Sequence, residues 1–156
     1  MRALLIGGGC PGLALTRDLV ADGHAVRFVT RREAFAAEIE AAGGEPCLAD
    51  PDRIGTLRYA LDNVTVLLWT LGAAAAPDLH GSRLEMMLER TIDTTVRGLV
   101  YEGPPEGRAI VERLATYNEI PFVVLDHPRS DPAGWAAAAR AAIDTVLAVD
   151  RRTLGG

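Results

Sequence analysis

Residues 4–12 read LLIGGGCPG, an apolar run that breaks into a glycine-rich turn. Its first half predicts a buried strand over residues 2–6 and its second half opens a helix over residues 11–21. Gly7, Gly9 and Gly12 match the pattern G-x-G-x-x-G. The spacing has physical reasons: a tight turn at the first glycine, close approach of a pyrophosphate at the second, and packing of the helix on the sheet at the third. The helix that starts there offers free N–H groups and the positive end of its dipole to phosphates. Pro11 suits that start because its missing N–H costs nothing at the first helical position. Such a pattern alone is weak, and here its place between a strand and a helix, at the head of a βαβ unit, makes it a candidate dinucleotide site. Cys10 lies inside the turn. The readings are a reactive thiol at a helix N-terminus and a small residue filling a tight turn.

Outward from this stretch, short β-rich runs alternate with helical segments. Strands are predicted over 25–30, 46–49, 64–70, 96–102 and 121–125, and helices over 32–42, 51–61, 82–95, 106–118 and 132–149. Gly43 and Gly44 stop the second helix, and Asp62 and Asn63 turn the chain into 64–70, the longest apolar run, which reads as a central strand buried on both faces. Ser82 and Glu85 have the spacing of a capping box, and Asp131 followed by Pro132 reads as an N-cap and first helical position. The alternation predicts a single α/β Rossmann domain over residues 1–149. Its parallel six-stranded sheet has the order 3-2-1-4-5-6, with helices on both faces and right-handed crossovers. Residues 150–156 read as a frayed tail.

Composition agrees and narrows the partners. The 156 residues suit one domain. The chain is 49% hydrophobic but only 5% aromatic, the aliphatic balance of a parallel sheet and its covering helices. A formal net charge of −5 argues against a nucleic-acid partner, which requires a basic stripe. Cys10 and Cys47 have neither disulfide nor zinc-site spacing, so a reducing, cytoplasmic compartment and no metal are expected. The apolar run after Arg2 is broken by glycines and lacks a cleavage region, and no membrane-spanning stretch is seen.

The end of the second strand chooses between cofactors. NAD-binding units carry an acidic residue there for the ribose 2′-OH, and this chain has Thr30, Arg31 and Arg32. Arginine at that place suits a 2′-phosphate, so NADP(H) is favoured over NAD(H). The competing reading is a Thr30/Glu33 capping box with two ordinary surface arginines. Asp50, after the third strand, is placed to meet an adenine amino group or to cap the next helix, or both. Trp69, Thr70, Leu71 and Gly72, at the end of the fourth strand, are expected beside the cofactor.

GGGCPG at 7–12, VTRR at 29–32, LAD at 48–50 and DNVTVLLWTLG at 62–72 resemble the short-chain dehydrogenase/reductase superfamily, in its extended and atypical, NAD-dependent epimerase-like branch. VYEGP at 100–104, EGRAIVERL at 106–114 and IPFVVL at 120–125 continue the resemblance more weakly. It implies a Ser after the fifth strand and a Tyr-x-x-x-Lys on the next helix, with the Tyr as acid/base. This chain has no Lys; Arg108 falls at the Lys position and Pro104 at the Tyr position, and no Ser occurs between Ser82 and Ser130. The chain therefore reads as a truncated member without the usual proton-transfer residues and with little room for a substrate domain. The resemblance also implies a homodimer through helices 82–95 and 106–118, to which Met86 lends slight support.

Candidates for chemistry then share only a position at the carboxyl ends of strands: His80, Tyr101 and Glu102, and Asp126, His127 and Arg129. His80, Tyr101 and His127 could serve as acid/base groups facing a nicotinamide; residues of these types also occur in the loops of any such domain. Three readings follow: an NADP(H)-binding oxidoreductase of unassigned substrate without the Tyr–Lys pair, a non-catalytic NADP(H) sensor or partner subunit, and a pocket for another adenine-bearing ligand such as a flavin or S-adenosylmethionine.

Overall fold

The computed structural model of the chain describes residues 1–74 and 76–149. Six strands, β1 (Arg2–Gly7), β2 (Ala25–Thr30), β3 (Glu45–Leu48), β4 (Val66–Thr70), β5 (Gly98–Glu102) and β6 (Phe122–Val124), form one sheet in the order β3-β2-β1-β4-β5-β6. Every pairing is parallel, as the alternation predicts. The helices are α1 (Gly9–Ala21), α2 (Glu33–Ala41), α3 (Ser82–Thr91), α4 (Pro105–Tyr117) and α5 (Pro132–Ala148).

Strand period two divides the core between the faces of the sheet. Ala3 and Leu5 of β1 join Val66 and Leu68 of β4 under α1, α2 and α5, with Trp135 and Ile143 of α5 wholly buried among them. Leu4 and Ile6 join Leu67 and Trp69 on the opposite face, beneath α3 and α4. All five residues of β4 are buried, which is why its sequence is apolar without alternation. Arg140 of α5 ties the first face together, pairing with Asp18 of α1 at 3.0 Å and with Asp22, the residue that caps its C-terminus, at 2.8 Å.

Two predicted helices and two capping boxes come out differently. Residues 51–61 form turns and one short 3-10 helix, Ile54–Leu57, in place of an α-helix. Asp50 opens this segment as a turn, its Oδ1 accepting from the Asp52 amide at 2.9 Å. The Thr56 hydroxyl donates to the Asp50 and Arg53 carbonyls at 3.0 and 2.7 Å. At the far end the Arg27 guanidinium donates to the carbonyls of Ala60 and Asp62 at 2.6 and 3.0 Å. Side chains thus take over hydrogen bonds that a helix would have made.

The helix predicted over 82–95 ends at Thr91, where the Thr91 and Thr94 hydroxyls donate to the Leu88 and Thr91 carbonyls at 2.6 and 2.7 Å. Neither capping box forms. Gly81 is the N-cap of α3 and makes no side-chain hydrogen bond, and Glu85 instead meets Arg113 of α4 at 3.4 Å. Arg32 is the N-cap of α2, while the Thr30 hydroxyl accepts from the Arg32 amide at 3.2 Å. The Asp131 cap does form, accepting from the Gly134 amide at 3.2 Å. Residues 150–156, expected as a tail, lie outside the described residues. Among those described, no helix is long and apolar enough to cross a membrane.

Candidate functional site

The carboxyl ends of β1 and β4 lie side by side, with Gly7 opposite Thr70. Gly7, Gly8 and Gly9 follow at φ of 81°, 98° and 53°, a left-handed run that favours glycine and turns the chain from β1 into α1. Any Cβ on Gly7 would overlap the Thr70 carbonyl, so the strand end and the turn are in direct contact. A Cβ on Gly9 would meet nothing within 4 Å, which leaves that side of the turn open to a ligand. Gly12 performs the packing role: a Cβ there would come within 2.8 Å of Phe28 and 3.1 Å of Leu5.

A cleft of about 420 Å³ opens over this turn. It brings Gly7 and Gly9 together with Thr30, Arg31 and Arg32 of the β2 end, with Asp50, and with Leu71. Residues separated by more than sixty positions thus converge on one crevice at the switch point of the sheet, where the first half of such a fold binds its ligand. Phe35, Asp52, Ala74, Ala76 and Leu79 complete the walls and were not singled out from sequence. The Arg32 guanidinium lies 5.9 Å from the centre of the Phe35 ring.

Other expected site residues are placed differently. Pro11 and Gly12 are buried beneath the turn, and Cys10 is exposed but does not line the cleft. Trp69 and Thr70 are wholly buried and outside it: the Trp69 indole donates to the Leu79 carbonyl at 2.9 Å, and the Thr70 hydroxyl to the Ile6 carbonyl at 2.9 Å. Their side chains hold the crevice in shape and do not face it.

A second cleft, of about 320 Å³, lies over the ends of β4, β5 and β6. Gly72, Glu102, Arg108, Asp126, His127 and Arg129 line it. Its centre is a carboxylate hub. Glu102 is only 8% exposed, and both of its oxygens are taken. Oε1 accepts from the Gly72 amide at 3.2 Å and from the Arg129 Nε at 3.0 Å, with Arg129 Nη2 closing a second contact. Oε2 accepts from the Trp135 indole at 2.7 Å. Arg129 Nη2 also donates to the Thr70 carbonyl. Arg108 donates to the Gly103 carbonyl at 3.0 Å and reaches Asp126 at 3.6 Å. His127 meets Asp131 at 3.0 Å, a contact that lowers the Asp131 pKa. Glu102 and Arg129 were marked by position alone. Trp135 was missed, although a lone large aromatic on an alanine-rich helix was a usable signal.

His80 and Tyr101 come together, but inside the protein. The Tyr101 hydroxyl lies 2.8 Å from His80 Nδ1, and His80 Nε2 lies 3.1 Å from the Leu71 carbonyl. The carbonyl can only accept, so the neutral imidazole carries its proton on Nε2 and Tyr101 donates to Nδ1. Burial is the main cause that lowers the His80 pKa, opposed by the Leu71 carbonyl and the charges of Glu102 and Glu106. Burial likewise pushes the Tyr101 hydroxyl up to about 12. Tyr101 is 0% exposed, beneath Gly103 and Gly107, where any Cβ would strike its hydroxyl.

No protein-family model and no curated protein matches the chain. Solved structures do. A UDP-glucuronic acid 4-epimerase from Bacillus cereus, in complex with NAD, superposes with a TM-score of 0.61 at 12% identity over 80% of this chain and 55% of its own. The triphenylmethane reductase of Citrobacter sp., in complex with NADP(H), gives 0.65 at 19% identity over 81% and 49%. A Corynebacterium glutamicum protein described as a short-chain dehydrogenase/reductase gives 0.61 at 20% over 92% and 91%. The chain shares the α/β fold of these proteins, a parallel six-stranded sheet in the order 3-2-1-4-5-6. It spans about half the length of the epimerase and of the triphenylmethane reductase, and most of the length of the Corynebacterium protein. Within this fold the glycine turn and the β2 end form one cleft, and the ends of β4, β5 and β6 form the other.

Proposed function

We propose that the chain binds NADP(H) across the crevice at the carboxyl ends of its strands. One observation carries the reading: Arg31 and Arg32 line the same cleft as the glycine turn, and no carboxylate stands at the end of β2. Guanidinium groups in that place suit a ribose 2′-phosphate, which an acidic residue would repel. The glycine turn and the start of α1 take the diphosphate, Asp50 the adenine amino group, and Leu71 and Gly72 flank the path into the second cleft. Triphenylmethane reductase, which shares the fold, was solved with NADP(H). In this reading the chain is an oxidoreductase of unassigned substrate that works without a Tyr–Lys pair, since hydride transfer requires an aligned nicotinamide and a bound acceptor. Titration with NADPH and NADH tests it. NADPH is expected to bind at least about tenfold more tightly, the worth of one charge-assisted contact. Equal affinities remove the preference, and no binding of either at millimolar concentration ends the dinucleotide reading.

A second reading, a non-catalytic NADP(H) sensor or partner subunit, is favoured by the placement of Tyr101. Its hydroxyl is buried against His80 and Glu102 is engaged with Arg129, so among the described residues the acid/base groups left lining the second cleft are Asp126 and His127, paired with Arg108 and Asp131. NADPH consumption with a panel of small carbonyl compounds separates the two readings. Sedimentation tests the homodimer through α3 and α4, on which Met86 and Tyr117 are exposed.

A further inference from the structure

Glu102 and Arg129 do more than close the second cleft. Arg129 Nη2 is bonded to the Thr70 carbonyl, the same atom that a Cβ on Gly7 would strike. The Arg129 guanidinium also lies 5.8 Å from the centre of the Trp135 ring, and the Cη2 edge of that ring stands 3.4 Å from where a Gly8 Cβ would be. The shared Thr70 carbonyl therefore brings the guanidinium, which lines the second cleft, up to the Gly7 end of the turn, and the Trp135 ring beneath it packs against Gly8. Nε and Nη2 are fixed by Glu102 and Thr70, and no described group takes Nη1. Glu102 cannot compete for a ligand's position, because its oxygens are occupied by Arg129, Gly72 and Trp135.

We propose that Arg129, braced by Glu102, binds the diphosphate of the dinucleotide through its remaining N–H edge. The inference rests on the NADP(H) reading and adds to it a cation contributed from beyond β6, some 120 positions after the glycine turn. A glycine turn offers only backbone dipoles to two phosphate charges. A guanidinium held rigidly at its edge supplies charge-assisted N–H donors without reorganisation, and the fork geometry leaves one pair of donors in place while the other side is pinned by Glu102, which offsets its net charge. Glu102 is then a positioning residue, and Arg129 a binding residue.

The test titrates two ligands into the wild type, Arg129→Gln and Arg129→Lys: NADPH, and adenosine 2′-monophosphate, which has the 2′-phosphate but no diphosphate. Arg129→Gln should weaken NADPH by about 10- to 100-fold, the range of a lost charge-assisted hydrogen bond. Its affinity for adenosine 2′-monophosphate should stay within about twofold of wild type, and its NADPH affinity should depend less steeply on salt. Arg129→Lys keeps a cation for Glu102 and guards against a misfolded glutamine variant; its compact ammonium cannot span Glu102, the Thr70 carbonyl and the diphosphate as the planar fork does, so it should show the same selective loss at about threefold or more. Wild-type NADPH affinity in both variants overturns the proposal, as does an equal loss of both ligands, which signals general damage. A folded wild type that binds no NADPH overturns the function reading and this inference together. Binding that is indifferent to residue 129 overturns only the inference.

Discussion

The two clefts are built by different means. The one over the glycine turn is made by backbone: positive φ at Gly7, Gly8 and Gly9, a strand end in contact at Thr70, and a helix start. The one over β4, β5 and β6 is made by side chains that meet across the sequence, Glu102 with Arg129 and Trp135, while Tyr101 and His80 pair inside the opposite face of β5 without lining it. A backbone site tolerates change in almost any side chain but not in its glycines. A side-chain site has the opposite sensitivity, and each loss leaves a buried partner unsatisfied.

The largest effect should come from Gly7→Ala. Its Cβ overlaps the Thr70 carbonyl at a left-handed φ, so a loss of about 3 kcal/mol is expected in urea denaturation, together with loss of NADPH binding. A loss below about 1 kcal/mol would show that β1 and β4 separate easily and that the turn is not rigid. Glu102→Ala comes next, leaving the Arg129 guanidinium and the Trp135 indole without their acceptor, at about 2 kcal/mol. An unchanged midpoint would mean that the hub is not structural.

Tyr101→Phe should cost about 1 kcal/mol by orphaning His80 Nδ1, while NADPH affinity stays at the wild-type value because the hydroxyl faces no cleft. The same pair sets an acid limit. The native state holds His80 neutral with its pKa lowered below the ordinary 6.5, so the unfolded chain takes up the proton first. Stability should be fully present above about 6.5 and fall as pH drops from there toward the lowered native value; His80→Gln should flatten that limb in a series of denaturation curves. The smallest change in stability, within about 0.5 kcal/mol, is expected for the exposed Arg31→Gln. Its NADPH affinity should nonetheless drop about tenfold while that for NADH is unchanged, separating recognition from folding.

What was legible in the sequence follows the same division. The strand order, the glycine turn and the Asp131 cap are written in contiguous residues, with spacing and period that report local geometry. The 51–61 segment misled because its hydrogen bonds go to the Thr56 hydroxyl and to Arg27, a residue on β2 that no local pattern connects to it. Serine and glutamate at capping spacing misled at α3 because Glu85 found Arg113 on the next helix. In the candidate site, Arg31, Arg32 and Asp50 could be placed from the ends of strands. The burial of Trp69 and Tyr101 could not, since it depends on what packs over a strand end. The Glu102 hub joins residues 27 and 33 positions apart, beyond the reach of any periodicity.

The pairing of Arg140 with Asp18 joins residues 122 positions apart, and with it α5 closes over the face of the sheet first laid down by β1 and α1. On a ribosome adding roughly 5–20 residues each second, that face waits on the order of ten seconds for its cover. Until then the cluster that holds Leu68 and Val100 lacks Trp135, Ile143 and Val146, so that side of the core is completed only by the last helix to be made.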